Sequence, residues 1–467
     1  MDLVSSTIAL GAAGVGGDDY WFSLHWNNQN GEAVMFYYLD LDSSGNVLLT
    51  GDTQKSDIYG TLPNNHKGTA HKLDGTDGSA IWHRFASHQT TYANSDYFSI
   101  TSDDDDNVYI TGTRPYIGSG SDAGNAGMTI LKFNSSGALQ WQKDNRAKNS
   151  GNNWQASSVV RGASNGVTVS AGRDYDNRYG IRLTEIAANG SLSTDKLYVH
   201  NSVGYEPSGK DILRRGSTDG YYYVTGSTGN NKNFVAQIRN DWTWRGITFL
   251  DSPTGELQSE AIALDDSDNQ YILCGRENAK TFFYKITRSN QAVAWQKNLA
   301  NTFSEYRSRQ VACHGSKAYV ISTKEFTINS ATQECLVLLV FNTSDGSLDS
   351  AIRLRNSAAG RKTRGRGIKI TDTAIILSAE VYLTSTNLRA GGVFKIPLDL
   401  SLTGTYTIPN YDSFVYETYS PSVSASTQNT STEFLPQNIS VSNVSQLSNG
   451  NYTIYNVSFT EAQTDLS

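Results

Sequence analysis

The chain has 467 residues, a formal net charge of −7, 11% aromatic residues, 26 Tyr and 41 Gly. An acidic balance without a Lys/Arg stripe argues against a nucleic-acid ligand, which needs clustered cations to neutralise phosphates. Three scattered cysteines, Cys274, Cys313 and Cys335, are too few for a disulfide framework and are expected to be buried thiols in a reducing compartment; no apolar run approaches the ~18 residues of a membrane span.

In chain order, residues 1–19 are small, apolar and glycine-rich and read as an arm; they lack the basic start of an export signal. Tyr20–Trp26 (YWFSLHW) reads as one strand. From there a unit recurs: a strand, a polar turn, a second strand, then another hairpin. The first pair of each unit is YYLDLDSSGN/VLLTGDT, FSITSDDDDN/VYITGTR, SSVVRGASNG/VTVSAGR, DILRRGSTDG/YYYVTGST, AIALDDSDN/QYILCGR, RQVACHGSK/AYVISTK and RGIKITDT/AIILSAE. The second-strand starts, Val47, Val108, Val167, Tyr221, Tyr271, Ala318 and Ala374, recur at roughly 55 residues, the spacing of propeller blades. Each pair is followed by a second hairpin, such as AHKLDGTDGSAIWHRF or ILKFNSSGALQWQKD. β-branched and aromatic residues alternate between turns rich in Gly, Asn, Asp and Ser. The expected fold is therefore all-β: a seven-bladed propeller of four-stranded antiparallel blades over residues 20–411, with a short N-terminal arm and a C-terminal β segment. Trp82, Trp141, Trp244 and Trp295 mark outer strands, and Trp21 shares their context. Tyr20–Trp26 is expected to close the ring as the outer strand of the last blade; an unpaired strand docked elsewhere is the alternative.

Residues 412–467 contain no Lys, Arg, His or Trp but alternate like strands. Within NYTIYNVSF, residues Tyr452, Ile454, Tyr455, Val457 and Phe459 suit β-augmentation of a partner; a small hairpin packed on the propeller fits equally. Arg353, Arg355, Arg361, Lys362, Arg364, Arg366 and Lys369 form the one basic cluster. It reads either as a solvated loop or as a surface docking the acidic C-terminal segment of another copy.

The acidic turns Asp40–Asn46, Asp103–Asp106 and Asp265–Asp268 invite a calcium reading, but lack the spacing of an EF-hand loop, and solvated turns repeated with the hairpin account for them. The histidines show no metal-ligand spacing and no nucleophile motif is present, so neither catalytic residues, a cofactor nor a metal is expected. Carboxylates paired only in three dimensions keep a glycosidase or lyase open.

The units LDLDSSGNVLLTGDT, ITSDDDDNVYITGTR and LKFNSSGALQWQ resemble bacterial-type β-propeller repeats of cell-surface proteins and of tailed-bacteriophage virion proteins, those of cyanophages above all. LDGTDGSAIW also looks like the tryptophan-docking repeat of quinoprotein dehydrogenases, but the adjacent cysteine pair of those enzymes is missing. The phage resemblance implies a non-enzymatic virion structural protein assembled in the host cytoplasm. It would be multi-copy, would contact other virion proteins and would serve as an accessory tail, fibre or capsid-surface module. A bacterial surface adhesin is the other setting. Tyr92, Tyr97, Tyr116 and Trp154 are candidate loop residues for stacking on a host-surface glycan.

Overall fold

The computed structural model describes residues 2–10, 20–27, 33–54, 66–88, 96–114, 127–145, 155–162, 166–172, 180–200, 207–215, 220–228, 232–250, 258–275, 281–299, 310–383, 389–407, 413–425, 434–435, 439–443, 448–449, 452–456 and 458–464. They form seven antiparallel sheets and no helix. Blade I spans residues 33–88, II 96–145, III 155–200, IV 207–250, V 258–298 and VI 310–356; blade VII combines 363–397 with the strand Tyr20–Asn27. The first strands of successive blades pack against one another in a closed ring, so they surround the axis and the fourth strands form the rim. Apolar side chains fill the spaces between blades, for example Leu48, Ala70, Trp82, Ile100 and Phe133 between blades I and II.

Tight turns join strands one to two and three to four and define one face. Longer connections join strands two to three and each blade to the next, and define the other. The acidic turns are fasteners of the tight-turn face. Asp103 accepts hydrogen bonds from the amides of Asp105 and Asn107, the Asn107 side chain and the Tyr109 hydroxyl (2.8–3.0 Å), with Lys132 at 3.5 Å. Asp42 and Asp265 repeat the scheme with Asn46 and Lys72, and with Asn269 and Lys285. A carboxylate with its oxygens so committed has none to spare for a cation.

Outer-strand tryptophans clasp blades I, II and V to the blade that follows each. Trp82 donates its indole N–H to Ser135 O, Trp141 to Ala188 O and Trp295 to Thr343 O, each an acceptor in the neighbouring blade's last turn. Gly137, at φ +79°, turns beneath the Trp82 ring, where a Cβ would lie 2.7 Å from the indole. Trp21 does the same across the closing seam. It is fully buried, donates to Gly75 O at 3.3 Å and covers Gly78 of blade I.

The C-terminal segment is a strap that encircles the ring. Ser413–Thr418 pairs with the fourth strand of blade VI, Ser424–Ala425 with V, Phe434–Leu435 with IV, Ile439–Asn443 with III, Ser448–Asn449 with II and Tyr452–Asn456 with I. Ser458–Thr464 reaches blade VII and lies parallel to Asp2–Leu10, which is itself paired with Tyr20–Asn27. Each fourth strand would otherwise expose a row of unpaired amides and carbonyls; the strap supplies partners to those of blades I to VI, and Asp2–Leu10 supplies one to that of blade VII. Glycine-rich residues 1–19 are thus, over Asp2–Leu10, part of a sheet.

Candidate functional site

At the axis, one polar side chain in alternate blades reads the backbone of the next. Ser99 accepts from Val159 N (3.1 Å), Asp211 from Ile262 N (3.2 Å) and Gln310 from Ile368 N (2.7 Å). Ser158 donates to Asp211 at 2.8 Å, and Gln310 reaches Leu39 O of blade I at 3.4 Å. Tyr38, from blade I, lies close to Asp211 of blade IV, Gln310 of blade VI and Ser158 of blade III. Burial raises the Asp211 carboxyl to about 6 against the bonds it accepts, and also raises the Tyr38 hydroxyl. Toward the tight-turn face Asp40 pairs with Lys369 at 2.9 Å.

The long-connection face carries a charged assembly where blades VI and VII meet. Blade VI extends an unusually long hairpin there, Lys317–Ile328 and Ala331–Asn342, turning at Asn329 and Ser330 with φ of 50° and 62°. Its Glu334 is 2% exposed and is held by Lys362 and by both arms of the Arg364 guanidinium. Glu380, on the second strand of blade VII, is fully buried and faces Arg366, Arg364 (3.8 Å) and Arg389 (3.5 Å). Burial alone would raise both carboxyls, but the surrounding guanidiniums outweigh it and hold both below the usual carboxylate range. Tyr382 lies at the centre, with Arg389, Arg364 and Lys362 at 4.9, 5.7 and 5.9 Å from its ring centroid. The ends of Lys362 and Arg389 keep 38% and 35% exposure.

The basic run in the sequence is therefore two clusters in space. Arg353 and Arg355 lie on the outer strand of blade VI, and both donate to Glu417 of the strap at 2.8 Å. Lys324 adds a bond to Tyr419, and Phe326 packs edge-on against that ring. The acidic partner of these arginines is the strap of the same chain. Lys362, Arg364 and Arg366 belong instead to the inner part of blade VII, Lys369 to its tight-turn end, and Arg361 is half-buried just before the blade. Tyr452, Ile454 and Tyr455 sit in the strap strand on blade I, and Phe459 in the strand beside Asp2–Leu10; Val457 lies outside the described residues. Tyr97 is no loop residue. It is fully buried and its ring lies against Gly68, so it cannot stack on a glycan. Tyr92, Tyr116 and Trp154 lie outside the described residues. Sequence reasoning missed Glu334, Glu380, Tyr382 and Arg389. The sequence signal for them was weak: a blade VI hairpin longer than its counterparts, and charges at strand ends. Among the described residues no group of three His, Cys, Asp or Glu gathers to hold a metal.

Fold and site together define an all-β, seven-bladed propeller of four-stranded antiparallel blades, with a charged assembly on one face. No family model and no curated protein matches the chain. Solved structures share the fold at low identity. The NanB sialidase of Streptococcus pneumoniae is 12% identical with a TM-score of 0.44, covering 80% of this chain and 70% of that one. The polysaccharide lyase Uly1 is 8% identical with a TM-score of 0.40, covering 80% and 91%. The PQQ-bound aldose sugar dehydrogenase of Streptomyces coelicolor is 10% identical with a TM-score of 0.35, covering 88% and 98%. Likeness at this level carries no argument about chemistry.

Proposed function

We propose that the chain is a non-enzymatic recognition module that holds a surface glycan against its long-connection face. The observation that carries this reading is the state of the carboxyls. Glycoside hydrolysis by the usual carboxyl pair needs a carboxylic acid that stays protonated near working pH and can reach the leaving oxygen. Among the described residues only Asp211 has its carboxyl raised toward that range, and Ser158 and two backbone amides occupy its oxygens. Glu334 and Glu380, on the exposed face, are locked as anions by their guanidinium and ammonium partners. The arrangement suits holding a ligand better than turning one over.

The repeat resemblance supports a virion setting for this module, in several copies beside other virion proteins. Incubating the protein with polysaccharides extracted from bacterial surfaces tests the reading. The expected result is retention on the polymer with its chain length unchanged. Shortened polymer, new reducing ends or new unsaturated ends would overturn it.

A further inference from the structure

We propose that the assembly around Tyr382 is a binding site for an anionic sugar, carboxylated or sulfated. This inference rests on the recognition reading above and specifies its ligand. The whole chain carries −7, so an anion meets repulsion over most of its surface. At Tyr382 the balance reverses: among the described residues four cations, Lys362, Arg364, Arg366 and Arg389, stand against three carboxylates, Glu334, Glu380 and Glu325, the last directly across the hairpin from Glu334. Glu334 and Glu380 are buried beneath the cations, at 2% and 0% exposure, and Glu325 alone of the three is exposed, so cations outnumber carboxylates in the outward layer.

The buried glutamates also act as positioners. Glu334 grips Arg364 through two bonds, and Glu380 ties Arg366 and Arg389 to one point. Cations held in this way lose less side-chain freedom when they meet a ligand. Lys362, Arg364 and Arg389 lie over the Tyr382 ring, and these cation–π contacts steady the half-exposed Lys362 and Arg389 side chains for a ligand. A planar guanidinium fork matches a carboxylate or a sulfate group, and a neutral sugar has nothing equivalent to offer it. The long hairpin of blade VI walls one side. Arg389 also touches Met35 of blade I at 3.8 Å, so the site spans blades VI, VII and I.

The test is calorimetric titration of the full chain with three oligosaccharide probes of equal length: neutral cello-oligosaccharide, carboxylated oligogalacturonate and sulfated carrageenan oligosaccharide. At least one anionic probe is expected to bind roughly tenfold or more tightly than the neutral one, and which one names the anion. Lys362→Met and Arg389→Met, which keep the apolar stems, are expected to lose roughly tenfold each. Lys317→Met removes the same charge from the tight-turn face, where Lys317 pairs with Asp349, and is expected to bind like the parent. Unchanged thermal unfolding confirms that each variant is folded. Equal binding of neutral and anionic probes, or an equal loss in Lys317→Met, overturns the anionic site and leaves recognition standing. Failure of every probe to bind overturns the recognition reading and the site with it.

Discussion

Lowering the pH should open the ring at the seam between blades VII and I, and His25 is the residue through which it acts. His25 lies on the closing strand Tyr20–Asn27, fully buried, with Nε2 2.9 Å from the Ser23 hydroxyl. Its ring is 5.7 Å from that of His83, which in turn touches His71 through their Nδ1 atoms. Burial lowers the His25 imidazole from 6.5 to about 3, and His71 and His83 move in the same direction, also chiefly through burial. The folded state thus binds fewer protons than the unfolded state. The stability contributed by neutral His25 is complete above pH 6.5 and is lost progressively as the pH falls toward 3. At pH 5 the linkage relation gives a loss of about 2 kcal/mol for His25 alone. The assay is native-state hydrogen exchange, corrected for intrinsic rates, on the Tyr20–Asn27 amides at pH 7.5 and 5.0. Parent protein should lose about thirtyfold more protection than His25→Gln over this interval. Identical pH dependence in parent and variant, or an imidazole titrating near 6.5, would refute the reasoning.

Other consequences follow from the same geometry. Trp21→Ala removes a fully buried indole from the seam and should cost about 3–5 kcal/mol in urea unfolding, whereas a loss below 1 kcal/mol would deny Trp21 its clasping role. Gly137→Ala forces a Cβ into the left-handed region beneath Trp82 and should cost about 1–2 kcal/mol from backbone strain alone, with a change in tryptophan fluorescence. Removing residues 426–467 should leave a folded ring whose bared outer strands self-associate, visible as concentration-dependent size in gel filtration; a strictly monomeric truncated protein would contradict the strap's sealing role. Cys274 and Cys335 are buried with thiols pushed up to about 12, so neither should react with iodoacetamide at pH 8 until the protein is unfolded.

Repetition made the blades legible. Seven turn–strand units at one spacing dictate seven sheets, and Trp21, Trp82, Trp141 and Trp295 mark outer strands that grip the next blade. The strap's path was not legible, because what determines it is the set of open sheet edges created only once the blades exist. Its contacts with blades II, IV and V extend over two residues each, too short for any periodic signal. The basic run between Arg353 and Lys369 misled for a different reason. It crosses from the rim of blade VI to the axis of blade VII, so neighbours in sequence separate to Glu417 on one side and to Glu334 and Glu380 on the other. His25 escaped for the converse reason: His71 and His83 pair across one hairpin of blade I, and His25, far away in the chain, reaches them only when the first and last blades close. Tyr97, an aromatic beside a polar stretch, reads as exposed until the bulge between Tyr97 and Ser99 and the packing against Gly68 place it inside.

The central claim is that this propeller recognises its ligand on the long-connection face without altering it. Hydrogen exchange with and without a saturating anionic oligosaccharide, followed by mass analysis of the recovered sugar, tests both halves at once. The account predicts protection in residues 324–334, 362–366, 380–383 and 389, unchanged exchange in the tight turns at Asp42, Asp103 and Asp265, and sugar of unchanged mass. Protection on the tight-turn face, or a cleaved sugar, would contradict it.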